Sequence, residues 1–223
     1  MDGPTPRHPY WPVFDIVVRT PHLELRPVRE ADVWELIELA DRGIHDPATM
    51  PFGIPWTDAR PPELWWNTFR HHAESWAGLS PERWNLTFAV REAGELVGCQ
   101  AALAEGFPER RSAETGSWVG MTDQGRGIGT EMRVAVLAFL FDGLGAADAR
   151  TSAWFDNERS LGVTRRVGYE PDGEELQERR GEQVRHLRFR LSRARWEARR
   201  AEIGGDQARL EGVEAALPLL GLA

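Results

Sequence analysis

Lysine is absent: all 27 basic residues other than histidine are arginine. Two chemistries fall with it, a Schiff base on a lysine amine and a Walker-type lysine on a nucleotide phosphate. Cysteine is nearly absent; Cys99 stands alone, so an intramolecular disulfide is excluded and a reducing compartment suits the chain. No apolar run approaches the roughly 18 residues of a membrane span. The opening Met-Asp-Gly-Pro-Thr-Pro-Arg-His-Pro has no apolar stretch of the signal-peptide kind. An excess of positive charge is missing as well: the net charge is −8, against the basic face of a nucleic-acid protein. The histidines at 8, 22, 45, 71, 72 and 186 show no metal-ligand spacing, so no metal is expected. These absences predict a cytoplasmic protein with neither a nucleic-acid nor a membrane partner.

What is present is apolar bulk. Hydrophobic residues make up 41% of the 223 positions, and ten are tryptophan, enough for a large core or an aromatic-lined pocket. Read in order, Val13–Val18 and His22–Arg26 are expected strands, and Glu30–Arg42 and Glu63–Trp76 helices. Between the helices runs a loop from Gly43 to Pro62 whose prolines forbid regular structure. It also carries Ile44, Met50, Phe52, Ile54 and Trp56, which favour burial, so an ordered loop over a pocket is expected. Strands follow at 86–91 and 96–104, then a polar loop over 105–112 and a strand over 113–121. A helix over 129–142, a strand over 149–155, a helix from Asn157 to Val167 and a hairpin over 174–191 come next. A helix over 192–203 and an amphipathic tail over 206–223 close the sequence. The tail has too much apolar surface to hang free and is expected to pack on its own domain or on a second subunit, with a homodimer the first guess. The order predicts an α+β fold with a mixed sheet rather than regular βαβ alternation. We divide the chain into an N-terminal arm and strand (1–21), a main domain (22–192) and a C-terminal helix and tail (193–223).

The chain is organised around Glu114–Gly129: a strand carrying Trp118, Val119 and Met121, a turn with Gly125, Gly127 and Gly129, and a helix start. Alternating glycines permit positive φ and a close approach to the main chain. Free N–H groups at a helix start form an anion site. Three readings compete: a structural turn, a dinucleotide fingerprint, and a coenzyme A pyrophosphate site. The dinucleotide fingerprint needs Gly-x-Gly-x-x-Gly, whereas the spacing here is Gly125-x-Gly127-x-Gly129, placed after an antiparallel meander.

Gln124-Gly125-Arg126-Gly127-Ile128-Gly129-Thr130 resembles the acyl-CoA signature of the GNAT acyltransferase superfamily, Gln/Arg-x-x-Gly-x-Gly/Ala. Gly116-Ser117-Trp118-Val119-Gly120 is similar to the Gly-Tyr-Trp-Ile-Gly strand of the branch containing the ribosomal-protein N-acetyltransferases. Asn157-x-x-Ser160 with Gly168-Tyr169 resembles that branch's Asn-x-x-Ser…Gly-Phe, and Leu23–Val28 its first strand. The resemblance spans about residues 22–192. The His45-Asp46-Pro47…Met50-Pro51-Phe52…Pro55-Trp56-Thr57 loop looks closer still to actinobacterial members, a mycobacterial succinyltransferase among them.

The resemblance implies a mostly antiparallel sheet flanked by helices and splayed between strands 113–121 and 149–155 to admit acyl-CoA. It implies transfer of an acetyl or succinyl group from coenzyme A to a primary amine on a small molecule or a protein N-terminus. Val119, Gly120, Met121, Gln124, Gly125, Arg126, Gly127, Ile128, Gly129, Thr130, Asn157 and Ser160 are its expected coenzyme A contacts. A backbone N–H near Val119 or Gly120 is the expected oxyanion donor, Glu114 the base, and Ser160 the acid. The superfamily often has a tyrosine seven residues after the asparagine; here that position is Thr164, which leaves the acid open. His45, Asp46, Met50, Phe52 and Trp56 are expected to face the acceptor or acyl tail. Arg60 and Arg70 are available to a succinyl carboxylate, although nothing selects them. Cys99 is expected to be an inert core residue, His71-His72 to lie on a helix surface, and the arginine-rich stretch 179–200 to be a solvated face. The alternative is a coenzyme A-binding regulatory or interaction module without turnover.

Overall fold

The computed structural model describes residues 8–222. Among the described residues nine strands form one sheet: β1 (Val17–Arg19), β2 (Leu23–Pro27), β3 (Arg83–Glu92), β4 (Glu95–Glu105), β5 (Ser112–Val119), β6 (Asp148–Trp154), β7 (Glu170–Arg179), β8 (Glu182–Ser192) and β9 (Arg209–Glu211). Their order is β7-β8-β6-β5-β4-β3-β2-β1-β9. Every neighbouring pair is antiparallel except β5 and β6, which run parallel. The helices are α1 (Glu30–Asp41), α2 (Glu63–Ala77), α3 (Phe107–Arg110), α4 (Ile128–Ala138), α5 (Glu158–Val167), α6 (Arg193–Arg199) and α7 (Val213–Ala216). The mixed, mostly antiparallel sheet is the one expected.

The period-2 alternation of the central strands gives the sheet two apolar faces. Phe88 and Val90 of β3 join a large core with α4, while Ala89 and Cys99 face the other way, toward Val33, Leu36 and Ile37 of α1. α4 is buried along its length, from Ile128 through Met132 to Ala138. Burying side chains of this size contributes roughly 1.5–3 kcal/mol each. α1 begins where the Asp32 carboxylate accepts the Arg29 N–H at 2.8 Å, which satisfies one of the donors a helix start leaves open.

Several boundaries differ from expectation. Val13–Val18 is not one strand: Pro12–Asp15 is a 3-10 turn, since proline pre-sets a helical φ at a first turn, and only Val17–Arg19 pairs. The polar loop over 105–112 contains α3. The helix expected to reach 142 ends as a π-turn over Phe139–Gly143, and the one expected to reach 203 stops at Arg199. The tail folds back on its own domain: β9 pairs with β1, and Leu210, Val213 and Leu220 join the main core. Residues 1–7 of the expected N-terminal arm lie outside the described residues.

Cys99 is buried, and burial pushes its thiol up to about 12, the state of an inert core thiol. His72 is not on a helix surface as expected. It is 4% exposed, its ring lies over Trp76, and its Nδ1 has no hydrogen-bond partner among the described residues. Burial pulls its pKa from 6.5 to about 4. The unfolded chain therefore binds a proton that the folded chain refuses between those values. Stability rises with pH across that window and is lost as pH falls through it, by about 3 kcal/mol at 1.36 kcal/mol per unit. Urea unfolding at pH 7 and pH 4 is expected to show a steeper loss for the native chain than for His72→Met. Equal slopes would place the titration elsewhere.

Candidate active site

The turn after β5 leaves its backbone open. Gly125 and Gly127 hold φ of +80° and +90°, and a Cβ on either would meet nothing within 4 Å. α4 starts at Gly127 with no side-chain cap, which leaves its first N–H groups aimed at the space over the turn. Thr130 is the exception, since its N–H already donates to the Gly127 carbonyl at 3.0 Å.

The sheet opens beside this turn. β5 and β6 are paired only from Ser112↔Asp148 to Glu114↔Arg150. Beyond that point the strands diverge, and β5 keeps its ladder with β4 alone as far as Val119. The opening holds a cavity of about 360 Å³ lined by Glu114–Ser117 of β5, Thr151–Ala153 of β6, Arg133, Asn157, Ser160, His186 and Pro51–Gly53. Glu114 is on its wall, the last β5 residue of the paired segment, and its Oε1 accepts from Ser152 Oγ at 3.2 Å. The Gly43–Pro62 loop is ordered and strapped across the mouth. Trp154 Nε1 donates to the Phe52 carbonyl at 3.2 Å, and Arg180 donates to Asp58 at 2.9 Å and to the Pro47 carbonyl at 3.2 Å.

Residues 22–170 match the family model for the acetyltransferase (GNAT) domain. The chain belongs to the GNAT acetyltransferases. Among solved structures it is similar to Mycobacterium smegmatis RimJ in complex with CoA-disulfide, at 26% identity and a TM-score of 0.63, over 89% of this chain and 98% of that one. The ribosomal L7/L12 α-N-protein acetyltransferase RimL, in complex with coenzyme A, matches 79% of this chain and 97% of its own at 17% identity and a TM-score of 0.64. A Vibrio cholerae–human chimera of spermidine N-acetyltransferase SpeG matches 79% and 98% at 17% identity and a TM-score of 0.63. The last two likenesses speak to the fold.

In this GNAT chain the expected coenzyme A residues fall into two groups. Gly125, Gly127, Ile128 and Gly129 lie in the turn and at the start of α4, with the Ile128 side chain in the core, and Asn157 and Ser160 line the cavity. Asn157 also caps α5, its Oδ1 accepting the Ser160 N–H at 3.2 Å. Several of the others are engaged within the protein. Gln124 Nε2 donates to the carbonyls of Ile44 (2.7 Å) and Val119 (2.8 Å), and its Oε1 accepts from Arg159. Arg126, half-exposed, pairs with Glu92 at 2.6 Å and Asp123 at 3.0 Å. Met121 lies past the end of β5 in a 3-10 turn and is 44% exposed. Gly120 is corrected as an oxyanion donor, because its N–H donates to the Val97 carbonyl at 2.9 Å. Thr164, where a tyrosine was expected, is buried and its hydroxyl donates to the Ser160 carbonyl at 2.9 Å.

Of the expected acceptor-facing residues, Phe52 alone borders the cavity. His45 instead braces the loop, its ring nitrogens 2.8 Å from the Asp46 carbonyl and 2.7 Å from Thr57 Oγ1. Asp46 closes a local turn by accepting the Ala48 N–H, and Met50 is buried. Trp56 packs between Phe52 and Trp118, with ring centroids 5.4 and 6.0 Å away. Arg60 and Arg70 are exposed and outside the cavity lining.

Two ionisable residues of the cavity carry no expected role. His186 of β8 packs on Trp154 with its Nδ1 buried and without a partner among the described residues. Burial holds its pKa below the usual histidine value, against the pull of Glu175 and Glu114, so the ring is neutral at pH 7. Arg133 of α4 is 4% exposed. Its signal was available: a single charge within Met132-Arg133-Val134-Ala135-Val136-Leu137. Among the described residues no group of histidine, cysteine and acidic side chains is arranged to hold a metal, and no helix is long and apolar enough to cross a membrane.

Proposed function

We propose that the chain is an N-acyltransferase that moves an acetyl or succinyl group from coenzyme A to a primary amine by direct attack in a ternary complex. One observation carries the reading: beyond Glu114 the edge of β5 is unpaired and lines the Glu114-walled cavity, and the same strand leads through the glycine turn into the uncapped start of α4. The N–H groups at Gly127–Gly129 hold the donor's pyrophosphate, each anionic contact with a helix start contributing roughly 0.3–1 kcal/mol. Asn157 and the free edge of β5 hold the pantetheine arm, which brings the thioester into the cavity. Acyl-CoA is here a substrate.

The amine enters from the Pro51–Gly53 side. Glu114 takes its proton, and the neutral lone pair attacks the thioester carbonyl; the carbon–nitrogen bond forms and the carbon–sulfur bond breaks. The β6-facing backbone between Gly116 and Val119, free of a ladder, takes the place of Gly120 in facing the developing oxyanion. Ser160, which lines the cavity and whose side chain has no partner among the described residues, relays to the departing thiolate the second proton that the attacking nitrogen sheds as the adduct collapses. The acceptor belongs to the class of amines on proteins or small molecules, as in the similar RimL and SpeG structures. Location in the cytoplasm and a homodimer complete the reading.

Thermal unfolding tests it: coenzyme A at 100 times its dissociation constant is expected to stabilise the chain by about 2.7 kcal/mol and raise its melting temperature by several degrees. No shift with coenzyme A, acetyl-CoA or succinyl-CoA would remove the reading.

A further inference from the structure

Arg133 is a buried cation whose partners are all neutral. Its Nη1 donates to Thr151 Oγ1 at 3.0 Å, its Nη2 to Ser117 Oγ at 3.1 Å, and its Nε lies 3.5 Å from Gln100 Oε1. The Tyr169 hydroxyl, itself 3.1 Å from Thr115 Oγ1, also faces it. Among the described residues no carboxylate pairs with it. Burying a guanidinium is costly unless an anion compensates, and a guanidinium carries five N–H donors, more than these partners use. Arg91, Arg126, Arg179 and Arg180, which are more exposed, all sit on carboxylates.

The position of this cation decides what compensates it. Thr151 follows directly on Arg150, the last β6 residue of the parallel ladder, and Ser117 lies on the diverging part of β5. The guanidinium thus spans the two strands at the closed end of the splay and borders the cavity. It reaches there from α4, the helix whose start is the proposed pyrophosphate site, and so from the donor's side rather than from the Pro51–Gly53 mouth. The donor's phosphates belong at the turn and its pantetheine arm is uncharged. The remaining part that extends to the closed end is the acyl chain. We infer that Arg133 receives a carboxylate at the far end of that chain, so that the preferred donor is a dicarboxylic acid monothioester of coenzyme A, of the succinyl class, rather than acetyl-CoA. This inference rests on the donor reading above and narrows it.

Calorimetric titration of the full chain with acetyl-CoA and with succinyl-CoA tests it. A charge-assisted bond to a buried arginine corresponds to a preference of about 10-fold or more for succinyl-CoA. In Arg133→Gln that ratio is expected to fall to near one, and Arg133→Lys, which keeps a charge but not the fork, to retain part of it. Circular dichroism verifies that each variant is folded; if neither is, the ratio measured on the native chain decides alone. Equal affinities for the two donors in the native chain, or a preference that survives Arg133→Gln, would overturn the inference while leaving the donor reading intact. Binding of neither donor would overturn both.

Discussion

Gly127→Trp is expected to abolish measurable coenzyme A binding in a chain that still folds. The two effects separate because of the site's geometry. Gly127 holds φ at +90° and a Cβ there meets nothing within 4 Å, so the substitution costs only the left-handed conformation, roughly 1–2 kcal/mol. That is small against a domain stability of about 5–15 kcal/mol. The indole, however, fills the open space over the uncapped start of α4, the proposed pyrophosphate site. Affinity is expected to fall by more than about 100-fold, since several charge-assisted N–H contacts are lost together. Calorimetry gives the affinity and urea unfolding the stability. Coenzyme A binding at native strength by the folded variant would move the cofactor away from this turn.

Glu114→Gln is expected to lower kcat by about 10²–10⁴-fold while leaving donor affinity close to native. Glutamine keeps the shape and can still accept the Ser152 hydroxyl, which now sits 3.2 Å from Glu114 Oε1. What it loses is the ability to hold a proton taken from the amine. His186 borders the same cavity with a neutral ring, so His186→Gln is the matched control. Thiol release measured across pH decides between them. A small effect at Glu114 with a large one at His186 would transfer the base to the histidine.

The readable parts of this site were those written in local sequence. The glycine turn has positive φ at two alternate positions, Gly125 and Gly127, and that requirement leaves a spacing in the chain. The Asn157 cap and the ordered Gly43–Pro62 loop are similarly local, the loop because its proline and aromatic content constrain it without reference to other segments. Features set by strand pairing were not readable. The Gly120 N–H is consumed by Val97, a partner fixed by the register of β5 on β4. His45 turned inward to brace its loop because Thr57 lies within reach, and twelve residues of irregular chain do not announce such a contact. Arg133 was hidden by helix rotation: an apolar segment containing one charge does not say which wall of the sheet the charge faces. His72 was misplaced for the same reason, one position on α2 separating an exposed ring from a buried one.

The docking of β9 on β1 has a consequence for how the chain reaches this fold. Arg19 bonds Glu211 across a sequence separation of 192 residues, and the two short strands pair over the same distance. Closing so long a loop brings an entropy cost with little local reward. During synthesis β1 waits with its outer edge unsatisfied while the whole catalytic sheet is made, and local segments such as the β3–β4 hairpin can form well before it is covered. The outer edge of the sheet is thus a late event in folding, and for that interval the nascent chain depends on something other than its own tail to keep an open strand from pairing with a neighbour.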